Sequence, residues 1–159
     1  MAEKSYVQML QDSLDKKCDI LRQLQLLSQQ QGEILQDEEA GPDAFEKNVQ
    51  DKEVLIQQLQ TLDAGFEQVF SKVEAELQNH KEAYRDNILH MQEKIREITE
   101  RSASLQVMEK QNKELATRKF ANIRSQARDL RQSGKAVSSY YQNMMKTGAM
   151  EPQFMDSKK

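Results

Sequence analysis

Three groups of side chains in this 159-residue chain are of types that can do chemistry: two histidines, one cysteine, and a set of arginines and lysines near the C-terminus. His80 and His90 lie ten residues apart. Two metal ligands on one helical face need a spacing of four, so the pair does not form a helical ligand set. Carboxylate-bridged di-iron bundles use Glu-x-x-His, and the residues three before His80 and His90 are Leu77 and Asn87. Both histidines are expected on a solvated rim. Cys18 stands beside Lys17, with no histidine or aspartate at the local spacing that would activate a thiolate, and it reads as a thiol filling an apolar seam. The five glycines, at 32, 41, 65, 134 and 148, never fall in a phosphate-cradling pattern. No catalytic residue, no metal site and no cofactor is expected, and the chain is not read as an enzyme.

The basic set is more informative. Arg124, Arg128, Arg131 and Lys135 recur at steps of four, three and four, forming one stripe on a helix, and Ile123, Ala127, Leu130 and Val137 run beside it. Residues 1–100 carry 11 basic and 21 acidic side chains, a net of −10, whereas residues 101–146 carry 10 basic and 3 acidic, a net of +7. A basic arm on an acidic body can pair with that body, seek an acidic protein partner, or bind phosphates in a salt-dependent way. All three readings stand on charge alone.

These residues need elements to hold them. Only Pro42 and Pro152 interrupt the chain, and the 109 residues between them repeat an apolar side chain every three or four positions. That period belongs to a helix, and no proline breaks it. Ser5 with Gln8 predicts a helix cap at the start of a stripe through Val7, Leu10, Leu14, Leu21, Leu24, Leu27, Ile34 and Leu35. Gly41-Pro42 marks a turn, and a second cap is expected at Asp43 with Glu46. The stripe resumes through Phe45, Val49, Ile56, Leu59, Phe66, Phe70, Val73 and Leu77, and again from Tyr84 through Ile88, Met91, Ile95, Ile98, Leu105 and Phe120.

Helix length places the second reversal. Residues 5–36 make a helix of about 48 Å, so an antiparallel second helix runs out of partner near residues 74–78. The polar stretch Gln78-Asn79-His80-Lys81-Glu82 follows, which predicts a turn over 78–83; Thr99–Ser104 is the second choice. The expected fold is therefore all-α: an elongated antiparallel three-helix bundle with a long third helix ending in an amphipathic C-terminal arm. Residues 1–116 form the bundle, with helices about 5–36, 43–77 and 83–116; residues 117–146 form the arm, and 147–159 a flexible tail. The longest apolar run, Val54-Leu55-Ile56, is far short of a membrane span, so no membrane insertion is expected. The N-terminus lacks the basic-then-apolar pattern of a secretory signal, and a single cysteine suits the reducing cytoplasm, so a cytoplasmic location is expected.

Several segments carry a family likeness. They include Asp43-Ala-Phe-Glu, Lys52-Glu-Val-Leu-Ile-Gln-Gln-Leu and Leu62-Asp-Ala-Gly-Phe. Gln106-Val-Met-Glu-Lys-Gln-Asn-Lys113, Tyr140-Tyr-Gln-Asn-Met-Met and Pro152-Gln-Phe-Met-Asp-Ser-Lys-Lys159 follow. In this order, after a long Leu-rich first helix, the chain resembles the flagellar export chaperones of the FlgN/FliT type in their Gram-positive form. The resemblance implies a cytosolic helical chaperone of flagellar type III export. Such a protein holds the helical end of an unassembled filament-associated subunit, a hook–filament junction protein in one branch and the filament cap in the other, and delivers it to the export machinery. Which branch applies stays open. No small-molecule partner is implied, and nucleic acid is a weaker alternative.

The physical mechanism expected of such a chain is helix-in-groove recognition by an exposed apolar stripe. The candidate partner-binding residues are Phe120, Ile123, Ala127, Leu130, Val137, Tyr140, Tyr141 and Met144, with Arg124, Arg128, Arg131 and Lys135 as rim charges. A rival reading from the same seam is a self-associating structural coiled coil, against which Gly41-Pro42, Asn112 and Gly134 interrupt a continuous heptad.

Overall fold

A computed structural model of the chain describes residues 2–121 and Tyr140. Three α-helices account for almost all of them: α1 (Ala2–Gln36), α2 (Pro42–Asn79) and α3 (Arg85–Lys119). They run up, down and up, and no strand occurs among the described residues. α1 is the central element. α2 and α3 both pack along it, while their own backbones come close to one another at few points.

Local chemistry explains most of the boundaries. α1 is already helical at Ala2, so Ser5 lies inside the helix and is not its cap; Ala2 and Glu3 are good helix formers, and nothing there stops propagation. α1 closes through the Asp37 amide bonded to the Glu33 carbonyl, and the Asp37 carboxylate accepts the Glu39 amide at 3.0 Å in a side-chain-stabilised turn. α2 begins with Gly41 in extended conformation as its cap and Pro42 in its first turn, which moves the start ahead of Asp43. Proline there loses no bond, because the first amides of a helix have no internal partner. α2 passes Gly65 without a break. The second reversal occupies His80–Tyr84, and residues 99–104 are helical throughout. α3 ends at Lys119, with Phe120 and Ala121 in a turn. The expected helical continuation to residue 146 lies, past that turn, outside the described residues.

The core is a single apolar seam interrupted once. Its larger part gathers Val7, Leu10, Leu14, Leu21 and Leu24 of α1, Leu55, Ile56, Leu59, Phe66, Val73 and Leu77 of α2, and Ile88, Met91, Ile95, Ile98 and Leu105 of α3, with Tyr84 from the turn. A smaller cluster of Leu35, Phe45, Ala116 and Phe120 closes the other end. Between the two, the positions in phase with the seam are polar: Ser28 and Gln31, Asn48 and Lys52, Glu109 and Asn112, all buried. Gly32 faces this layer. A Cβ there would stand 3.1 Å from Asn112 Oδ1, so the glycine lets the asparagine approach α1 closely.

Candidate partner-binding surfaces

Two of the sequence-derived site residues fall within the described chain, and both touch the bundle. Phe120 is 6% exposed and meets Phe45 with ring centroids 5.7 Å apart, closing the end where α1 turns into α2. Beside it, Lys119 Nζ donates to the carbonyls of Ile34, at 3.1 Å, and Asp37, at 2.6 Å, so a cation adds to the backbone bonds at the C-terminal end of α1. Tyr140 sits much farther along. Its hydroxyl donates to Asp63 Oδ2 at 2.5 Å, and Lys17 Nζ lies 6.0 Å from its ring centroid. Lys17 is buried and bonds the other Asp63 oxygen at 2.6 Å. One carboxylate on α2 therefore holds a lysine of α1 and a tyrosine from the C-terminal segment at once. Ile123, Ala127, Leu130, Val137, Tyr141 and Met144, with the rim charges Arg124, Arg128, Arg131 and Lys135, lie outside the described residues.

The polar layer was not anticipated from composition, which counts Lys52, Gln31 and Glu109 as surface. Lys52 Nζ donates to Glu109 Oε1, and to Gln31 Oε1 at 3.3 Å. Ser28 Oγ donates to the same Glu109 oxygen at 2.5 Å, Asn112 Nδ2 to the Ser28 carbonyl at 2.8 Å, and Asn48 Nδ2 to the Leu27 carbonyl at 2.8 Å. Asn48 Oδ1 finds no hydrogen-bond partner among the described residues. Burial pulls Lys52 below the usual lysine range, and the Glu109 carboxylate opposes that shift. The signal that could have found this layer is phase. Leu24-Ser28-Gln31-Leu35, Phe45-Asn48-Lys52-Leu55 and Leu105-Glu109-Asn112-Ala116 keep the three-and-four step through polar residues.

The outer side of the α1–α2 pair forms a shallow groove of about 620 Å³, lined by Ile20, Val54 and Leu62 with Gln23, Gln57 and Thr61 among its polar edges. Val54 on its wall and Leu26, one turn beyond Gln23, are more than half exposed.

The groups with chemical potential are placed as follows. Cys18 is fully buried, its thiol contacts the Lys94 carbonyl at 3.6 Å, and burial, with Glu97 adding to it, pushes its pKa up to about 11. A thiol so placed is a poor nucleophile. His90 Nε2 pairs with Asp15 Oδ1 at 2.7 Å across α1 and α3, and His80 stands 3.6 Å from Glu76 on an exposed turn. No group of three metal-ligating side chains occurs among the described residues. No described helix is long and apolar enough to cross a membrane.

The family model for FlgN protein matches residues 1–148. The chain belongs to the FlgN family. Its membership spans the bundle, Tyr140 and all of the candidate residues alike, and it supports a flagellar export chaperone in general terms. No curated protein matches the chain, and neither does any solved structure. Within this FlgN-family chain, the three-helix bundle is thus the described body, and Tyr140 meets it at the Lys17–Asp63 pair.

Proposed function

We propose that this FlgN-family chain captures the amphipathic helical end of an unassembled flagellar subunit, a junction or cap protein. It covers the surface that drives assembly and delivers the subunit to the export machinery in the cytoplasm. The observation that carries the reading is the family match over residues 1–148. A physical argument narrows where the client docks. Among the described residues the apolar seam is consumed by α1, α2 and α3 packing on one another. The next apolar stripe in the sequence is Ile123, Ala127, Leu130, Val137, Tyr141 and Met144, flanked by Arg124, Arg128, Arg131 and Lys135. Phe120, just before that stretch, and Tyr140, within it, both touch the bundle. A client helix reads such a stripe through a few apolar anchors, and the rim charges tune its rate of arrival.

The test is Ile123→Asp with Leu130→Asp. The two positions lie seven residues apart, two turns on one helical face. Desolvating unpaired carboxylates on docking is costly, so client capture should vanish while helical content and the thermal midpoint stay near those of the parent chain. Capture that survives the double change in a folded protein would move the docking site to the α1–α2 groove. Sedimentation of the chain without client separates this reading from the self-associating coiled coil, which requires a tight elongated dimer.

A further inference from the structure

The polar layer divides the bundle into unequal parts. Among the described residues, nineteen buried side chains form the cluster on the side of the α2–α3 turn, and four form the cluster on the side of the α1–α2 turn. We propose that this smaller end, residues 34–50 of α1 and α2 with 110–120 of α3, opens as a unit at the polar layer while the rest of the bundle stays folded.

The reason is what water does when the layer parts. Opening an apolar layer exposes surface that water solvates poorly, and all of that burial is forfeited. Lys52 and Glu109 behave differently. In the closed bundle they are 3% and 4% exposed, so each has given up its hydration for the other. On opening they lose one another and recover water, and the two changes largely cancel. Ser28, Gln31 and Asn112 likewise exchange protein partners for water. Asn48 Oδ1, buried with no partner among the described residues, is free to accept a hydrogen bond from water once the layer opens. The layer is therefore the plane along which the helices separate most readily.

Among the described residues, less holds the end shut beyond that plane. The closing contacts are the Phe45–Phe120 ring pair, Leu35 and Ala116 beside it with Ile34, Val49 and Leu115 partly buried against them, and Lys119 on the carbonyls of Ile34 and Asp37. The opposite end is tied far more deeply: Val7, Leu77, Tyr84 and Ile88 are all buried in the large cluster, and Lys72 stacks on the Tyr6 ring at 5.3 Å. Opening uncovers Leu35, Phe45 and Phe120 on facing walls with the Lys52 cation at the root. The feature is a jaw built into the bundle, independent of any client.

Amide exchange of the full chain, followed by mass spectrometry across a series of sub-denaturing urea concentrations, tests it. Peptides covering 42–50 and 110–119 should exchange at least about tenfold faster than those covering 55–77 and 88–105, at one shared rate, with a urea slope that is measurable but smaller than the global one. Phe45→Ala should speed exchange at the jaw alone. Lys52→Met with Glu109→Leu replaces the buried ion pair of the layer by apolar side chains and should slow jaw exchange by at least about tenfold. Equal protection at both ends, a jaw exchange with no urea dependence (fraying of separate helix ends), or a Phe45→Ala chain that loosens everywhere would each overturn the proposal. So would a folded Lys52→Met/Glu109→Leu chain with unchanged jaw exchange. If that double variant does not fold, the parent chain and Phe45→Ala decide the matter between them.

Discussion

The two faces of α1 are held by different physics. Toward α2 the contact is mainly apolar, with Lys17–Asp63, Asn48 on the Leu27 carbonyl and Lys52–Gln31 as its polar ties. Toward α3 there is a polar tie at almost every turn: Gln11 with Asn87, Asp15 with His90, Arg22 with Glu97, Gln25 with Arg101, Ser28 with Glu109 and Asn112, and Lys119 on the end of α1. Apolar burial is strong but non-directional, and it tolerates sliding. Hydrogen bonds contribute little net energy each but demand particular partners. α2 is thus attached chiefly by area, and α3 is set in register by a ladder. Register matters for a protein whose C-terminal segment must reach Asp63 with Tyr140.

The comparison can be broken at its strongest point first. Glu109→Ala leaves Lys52 buried without its carboxylate and should destabilise the chain by about 3–5 kcal/mol in urea unfolding, whereas Lys52→Met with Glu109→Leu should stabilise it by about 1–4 kcal/mol. Equal losses for both would mean that the layer acts through volume and not through charge. On the apolar face, Leu59→Ala should cost about 2–5 kcal/mol, since the side chain is fully buried and a cavity remains. A loss below about 1 kcal/mol would show that burial is not what attaches α2. Gly65→Ala should add up to about 1 kcal/mol, because a Cβ there meets nothing within 4 Å and the change removes freedom from the unfolded chain. A loss at this site would place a partner on the outer face of α2.

The smallest effect probes a single rung. Hydrogen bonding from Arg101, then the charge of Arg22, holds the Glu97 carboxyl below the usual glutamate range, while partial burial works the other way. A carboxylate with a depressed folded pKa contributes stability that is complete above its unfolded value, near about 4.3, and is lost as pH falls through the lower folded value. Thermal midpoints of the parent chain should therefore fall more steeply than those of Glu97→Gln as pH drops below about 4, and the two curves should run parallel above about 5.5. Parallel curves throughout would make the rung decorative, as many exposed pairs are.

Much of the fold was legible because its signals are local. A 109-residue gap between prolines and an unbroken three-and-four phase specify helices, and Gly41-Pro42 specifies the first reversal. The end of α3 was not legible. Phe120 keeps the apolar phase and neither it nor Ala121 is a breaker; the turn there accompanies Phe120 packing on Phe45 and Lys119 reaching α1, both tertiary events. The buried layer was hidden for a related reason, since a lysine and a glutamate in phase with a seam look like solvated face until the third helix arrives. Of the candidate site, the sequence singled out Tyr140 but could not name its receptor, because Asp63 lies 77 residues away on another helix.

The parallel placement of α1 and α3 bears on how the chain acquires its shape during synthesis. Polar contacts between α1 and α2 close loops as short as 21 residues, as Asn48 and Lys52 do. Those between α1 and α3 close loops of 75 to 85 residues. The cost of closing a loop rises with its length, and non-local pairing comes late. Emerging from the ribosome, the α1–α2 hairpin therefore forms first, with the α3-facing side of α1 still wet. For that interval the side of α1 that carries Cys18, whose thiol later meets the Lys94 carbonyl, stays open until the chain's own third helix fills it. In its earliest folded form, this FlgN-family protein is its own first client.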